Sequence, residues 1–189
     1  MDTRVLVAII VLVAAALIVA AIVVMQRRKS EHLKQQFGPE YERTLQLHGN
    51  AAKAEAALAE REARVEKLTI RELPATERAA YADEWAAVQR RFVDDPSMAV
   101  SEADRLVNRV MNGRGYPMAD FDQRAEDISV NYPVVEQNYR SARDIFVRHS
   151  SGRASTEDLR QAMVYYRSLF DELLGTPAVA DPAVLRRAS

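Results

Sequence analysis

Six polar side chains cluster at helix joints in the second half of the chain: Arg109, Arg114, Tyr116, Asp127, Asn131 and Tyr132. A guanidinium, a carboxylate and phenols in one place can close a small polar cleft around a ligand. They can equally fix the angles between helices through a buried ion pair. If the joints converge at one end of a bundle, Arg109 or Arg114 is placed to pair with Asp127, and the hydroxyls of Tyr116 and Tyr132 complete the lining. This is the only constellation in the sequence that suggests a site.

The other common devices are missing. His32, His48 and His149 have no Asp, Glu or His three or four residues away, which rules out the Glu-x-x-His and His-Glu-x-x-His metal patterns. There is no cysteine, hence no disulfide, thiolate nucleophile or Cys-based metal site. Gly113-Arg114-Gly115 opens like a dinucleotide fingerprint, but Met118 stands where the third glycine belongs and no strand precedes it. No Gly-Lys pair exists to build a P-loop, and no Gly-x-Ser-x-Gly elbow occurs. Asp94-Asp95 and Glu126-Asp127 are adjacent pairs, which point to different helix faces and read as caps or solvated residues. The sequence therefore assigns no catalytic, cofactor-binding or metal-ligating residue, and no cofactor is expected.

The elements that would position the joint begin with residues 5–25, VLVAIIVLVAAALIVAAIVVM, a run of 21 residues from Val5 to Met25 without a charge, polar side chain, Gly or Pro. At about 1.5 Å per residue it makes a helix of about 31 Å, the thickness of a bilayer's hydrocarbon core. Fourteen of these residues are Val, Leu or Ile. Together they favour insertion by roughly 4 to 8 kcal/mol. Arg27, Arg28 and Lys29 follow at once and set the orientation by the positive-inside rule, with the remainder of the chain cytoplasmic. The sequence predicts a transmembrane anchor over residues 1–29, with the lipid bilayer as partner and anionic headgroups beside the basic flank. Residues 30–185 carry 20 basic and 26 acidic side chains, a net charge of −6 that argues against nucleic acid binding.

Beyond the anchor the reading is all-α. Residues 30–69 form a helical stalk, broken at Phe37-Gly38-Pro39, with Tyr41, Leu45, His48 and Ala52 on one face and a bend at Gly49-Asn50. The Ala-, Glu- and Arg-rich stretch 51–68 is a strong helix with a thin apolar side of Leu58, Val65 and Leu68, read as a solvated helix ahead of a coiled coil. Residues 70–175 form a four- to five-helix bundle. Its faces are Tyr81, Trp85, Val88 and Phe92, then Met98 to Met111 ending at Asn112-Gly113. A short helix with Met118, Phe121, Ala125 and Ile128 inward follows, then Val135 to Phe146. The last face runs from Leu159 to Leu174 behind a Ser155–Asp158 capping signature. Residues 176–189 read as a disordered tail.

Several stretches resemble a family of bacterial single-pass membrane proteins with a helical soluble domain. They are Gln89-Arg90-Arg91-Phe92-Val93-Asp94-Asp95-Pro96, Ala103-Asp104 with Val107, Arg114-Gly115-Tyr116-Pro117, Asp127-Ile128-Ser129-Val130 and Ser155-Thr156-Glu157-Asp158-Leu159-Arg160. The resemblance implies a bacterial origin and a single-pass architecture, and brings no reaction, substrate or cofactor.

The leading expectation is a membrane-tethered interaction or scaffold module at the bacterial cytoplasmic membrane, holding a protein partner. A small-ligand sensor or an enzyme using the polar joint is the alternative. A homo-oligomer is a third, for which Ala16 and Ala20 offer one small-residue contact within the membrane.

Overall fold

The computed structural model describes the backbone of residues 3–118 and 120–175, with side chains from residue 12 onward. Eight helices and no strand occur among the described residues: α1 (Thr3–Phe37), α2 (Pro39–His48), α3 (Ala51–Val65), α4 (Ala75–Asp94), α5 (Pro96–Arg114), α6 (Phe121–Asn131), α7 (Pro133–Ser150) and α8 (Thr156–Leu174). The all-helical reading is correct. The chain divides into two compact units, 1–59 and 60–189.

In the first unit, α1 continues through the whole apolar run and its basic flank to Phe37. The apolar side chains from Leu12 to Met25, among them Leu17, Ile18, Val23 and Val24, are exposed. Among the described residues, no helix is long and apolar enough to cross a membrane. The side chains at the start of the predicted span, including Val5, lie outside the described residues. Gly38, at φ +47°, makes the turn into α2, whose first residue is Pro39. The buried side of α2 is Glu40, Tyr41 and Thr44 rather than the expected Tyr41, Leu45 and His48. Glu40 is held by Arg43 Nη1 at 3.0 Å, so a carboxylate takes a core position because a cation on the next turn compensates it. Ser30 Oγ and the Tyr41 hydroxyl donate to Glu55 Oε1 at 2.6 and 3.0 Å. Gly49 ends α2 in the left-handed conformation, and the Asn50 side chain caps α3 through the amide of Ala52 at 2.8 Å.

The second unit is a helical bundle, and its contacts fix the helix directions. Glu84 pairs with Arg109 and Arg91 with Glu102, so α4 and α5 run antiparallel. Asn138 bonds Ser168, and Arg148 pairs with Asp158, so α7 and α8 do too. Tyr139 bonds Asn108 while Ser97 bonds His149, which sets α5 against α7 in the same sense. The connection from α5 to α7 carries α6, which packs on α7. Leu106, Val107, Ile128, Ala142, Tyr166 and Leu169 sit in the core, where each large aliphatic side chain contributes about 1.5–3 kcal/mol. Trp85 stacks on Phe170 with ring centroids 4.8 Å apart, joining α4 to α8.

The helix ends follow local chemistry. Asp95 accepts from the Met98 amide ahead of Pro96, and Ser155 and Asp158 form the reciprocal capping box. Two expectations need correcting. Helix α5 does not stop at Asn112-Gly113 but runs to Arg114, with Gly115 as its left-handed cap at φ +99°. Met98 and Met118 are exposed rather than inward, Met118 because it precedes the Asp120 cap of α6. The predicted tail, 176–189, lies outside the described residues.

Candidate functional site

The joint predicted from sequence assembles in part. The tight turn at Gly115 brings Tyr116 inward, because the chain before α4 lies against it: the Arg71 amide bonds the Arg114 carbonyl at 2.9 Å. Tyr116 is buried and its hydroxyl accepts from Asn131 Nδ2 at 2.9 Å. Burial raises its pKa, and Tyr132, Arg114 and Asp127 all act on it electrostatically. Arg114 Nη1 donates to the Tyr132 hydroxyl at 2.6 Å and to the Leu173 carbonyl at 2.9 Å. It thereby satisfies the C-terminal end of α8, where a cation is favoured by the helix dipole.

The expected ion pairs are different in fact. Asp127 bonds neither Arg109 nor Arg114. Its Oδ1 accepts from Arg64 Nε of α3 at 2.8 Å, and Asp127 itself has no exposed surface. Arg64 Nη2 and Arg61 Nη2 take the two oxygens of Glu126 at 3.0 and 3.1 Å. Burial works against the Arg64 cation, but its hydrogen bonds and charge interactions with Asp127 and Glu126 outweigh this and raise its pKa. Arg109 is not part of the joint. It is an exposed residue that pairs with Glu84 across the α4–α5 face.

Two buried polar atoms in the joint have no hydrogen-bond partner among the described residues: Arg114 Nε and Asp127 Oδ2. Beside Arg114 lies a cleft of about 210 Å³, lined by Glu72, Arg78, Arg114, Tyr132 and Leu173. It offers cations, a carboxylate and a phenol, which can hold a small polar molecule but show no nucleophile with an activating base.

A second polar network runs through the bundle itself and was not foreseen. Asp104 accepts from the buried Tyr166 hydroxyl at 2.9 Å and from Asn108 Nδ2 at 3.1 Å. Asn108 Oδ1 in turn accepts from the Tyr139 hydroxyl at 3.2 Å, and Tyr139 accepts from Arg124 Nε at 3.4 Å. Burial raises the pKa of both tyrosines, with the Asp104 charge adding to the effect. The available signal was Asp104 and Asn108, one turn apart beside the apolar face of α5. Ser97 Oγ and His149 Nε2 lie 2.6 Å apart where α5 begins and α7 ends, a hydroxyl–imidazole contact that no local pattern in the sequence marks. No group of three metal-ligating side chains is assembled among the described residues.

What fold and site define together is a class: an all-helical bundle with two buried polar networks. No family model matches the chain, and neither curated proteins nor solved structures provide a match. The resemblance drawn from the Arg114-Gly115-Tyr116-Pro117 and related motifs rests on those motifs alone.

Proposed function

We propose that the chain is a membrane-tethered helical interaction module, anchored through Val5–Met25 with its bundle on the cytoplasmic side of a bacterial inner membrane and a protein as its partner. One observation supports this reading: the sequence holds an uncharged run of 21 residues, Val5 to Met25, within helix α1, whose described apolar side chains from Leu12 onward are exposed and are followed by Arg27, Arg28 and Lys29. Exposed apolar surface on this scale needs an apolar medium or partner to cover it. The acidic body argues for a protein partner over a nucleic acid.

The test is fractionation of the full chain with an alkaline carbonate wash, followed by affinity capture from mild detergent. The reading predicts that the chain stays in the membrane pellet, that Leu17→Arg with Ile18→Arg shifts it to the supernatant, and that capture brings down a stoichiometric protein. Release of the unaltered chain by carbonate contradicts the anchor, and capture of the chain alone contradicts the partner.

A second reading, a small-ligand sensor, is favoured by the cleft at Arg114 and by its Nε, which has no partner among the described residues. Thermal shift of the full chain against metabolite sets separates the two, since a saturating ligand raises the melting temperature.

A further inference from the structure

An open groove of the second unit lies between α4 and α5, away from the joint, with a volume of about 660 Å³. Volumes of this order suit small ligands. Two ion pairs cross from helix to helix beside it. Arg109 meets Glu84, and Arg91 meets Glu102. On each helix the two bridges stand two turns apart, about 11 Å. The apolar lining of the groove is Ala87 and Val88 on α4, Leu106 on α5 and Met118 from the following link, beside the amides of Asn108 and Asn112.

One side chain in the groove is charged and uncompensated. Arg105 lines it, is exposed, and has no hydrogen bond or ion pair among the described residues, whereas every other charged group in the groove is paired across it. A guanidinium binds a carboxylate through two parallel hydrogen bonds. We infer that the α4–α5 groove binds a small amphiphilic carboxylate, with its single negative charge on Arg105 and its apolar body between Ala87, Val88 and Met118. The inference does not depend on the anchor, because every residue it uses lies in the second unit.

The experiment uses the full chain in nanodiscs of uncharged phosphatidylcholine, with empty nanodiscs as the blank, titrated calorimetrically with 4-phenylbutyrate at neutral pH. The probe binds saturably. Arg105→Gln weakens it by about tenfold or more, as does replacing the acid by 4-phenylbutanol. Ala87→Trp, which fills the groove from an exposed position, abolishes binding. Absence of saturable binding, equal binding of acid and alcohol, or binding unchanged in either variant overturns the inference.

Discussion

Arg64 Nε and Asp127 Oδ1 meet at 2.8 Å, and through this contact a carboxylate with no exposed surface on α6 is matched by a cation on α3. Removing the cation leaves a buried charge with little to replace it, which is far more costly than the net worth of the pair. Arg64→Ala therefore destabilises the second unit by about 3 kcal/mol. Arg64→Met combined with Asp127→Asn recovers most of the loss. Urea unfolding followed by Trp85 emission measures both; equal stabilities for the single and double variants contradict the assignment.

Three tyrosines of the second unit, Tyr116, Tyr139 and Tyr166, are buried with raised pKa values. In the unfolded chain they ionise near pH 10. A raised folded value means that the stability they contribute is complete below that pH and is lost as pH rises above it. The bundle unfolds cooperatively in alkali, with tyrosinate absorbance appearing in the same transition as the loss of helix. Absorbance that rises to its full extent while the helix signal is intact refutes this.

Gly115 and Gly49 both have positive φ, yet they differ in surroundings. A Cβ on Gly115 would lie 2.4 Å from the Thr69 carbonyl oxygen, while one on Gly49 meets nothing within 4 Å. Gly49→Ala costs only the backbone penalty, about 1–2 kcal/mol. Gly115→Ala adds a clash with backbone and costs more, displacing residues 66–74 and with them the turn that buries Tyr116. Thermal melts of the two variants rank them, and comparable losses contradict the packing at Thr69.

Asp158 is held below the ordinary aspartate value of 3.8, first by the Ser155 hydroxyl and then by the Ser155 amide. A lowered folded pKa contributes stability above the unfolded value, and that stability is lost as pH falls through the folded one. The first turn of α8 accordingly frays in acid below about pH 3.8. Ser155→Ala removes the hydroxyl, speeds amide exchange at Asp158 near neutrality and shrinks the acid-dependent step. Exchange unaffected by the substitution argues against the capping box.

The parts of this fold that were legible in the sequence are those written in a local period. Leu159, Ala162, Met163, Tyr166, Leu169, Phe170, Leu173 and Leu174 were read as one face and are all buried. Asp95-Pro96 and Ser155–Asp158 were read as caps because their partners lie three residues away. The polar pairings were not legible, because a charge carries no mark of its distant partner. Arg64 reaches Asp127 across 63 residues, and Tyr166 reaches Asp104 across 62. Tyr139 and Tyr166 read as core aromatics, which they are, but their hydroxyls bond groups that only the packing of α5 against α7 and α8 brings near. Glu40 was missed for a related reason: a buried carboxylate breaks the apolar pattern, and Arg43 that compensates it looks like an ordinary surface residue.

The most direct test of the membrane-tethered reading uses the absence of native cysteine. Single cysteines at Thr3 and Ser150, introduced separately into the full chain in bacteria, are exposed to a membrane-impermeant maleimide in spheroplasts and again after lysis. The account predicts that Thr3→Cys is labelled in intact spheroplasts and Ser150→Cys only after lysis, in chain that remains in the membrane fraction. Labelling of Ser150→Cys before lysis, or recovery of the chain free of membranes, contradicts it.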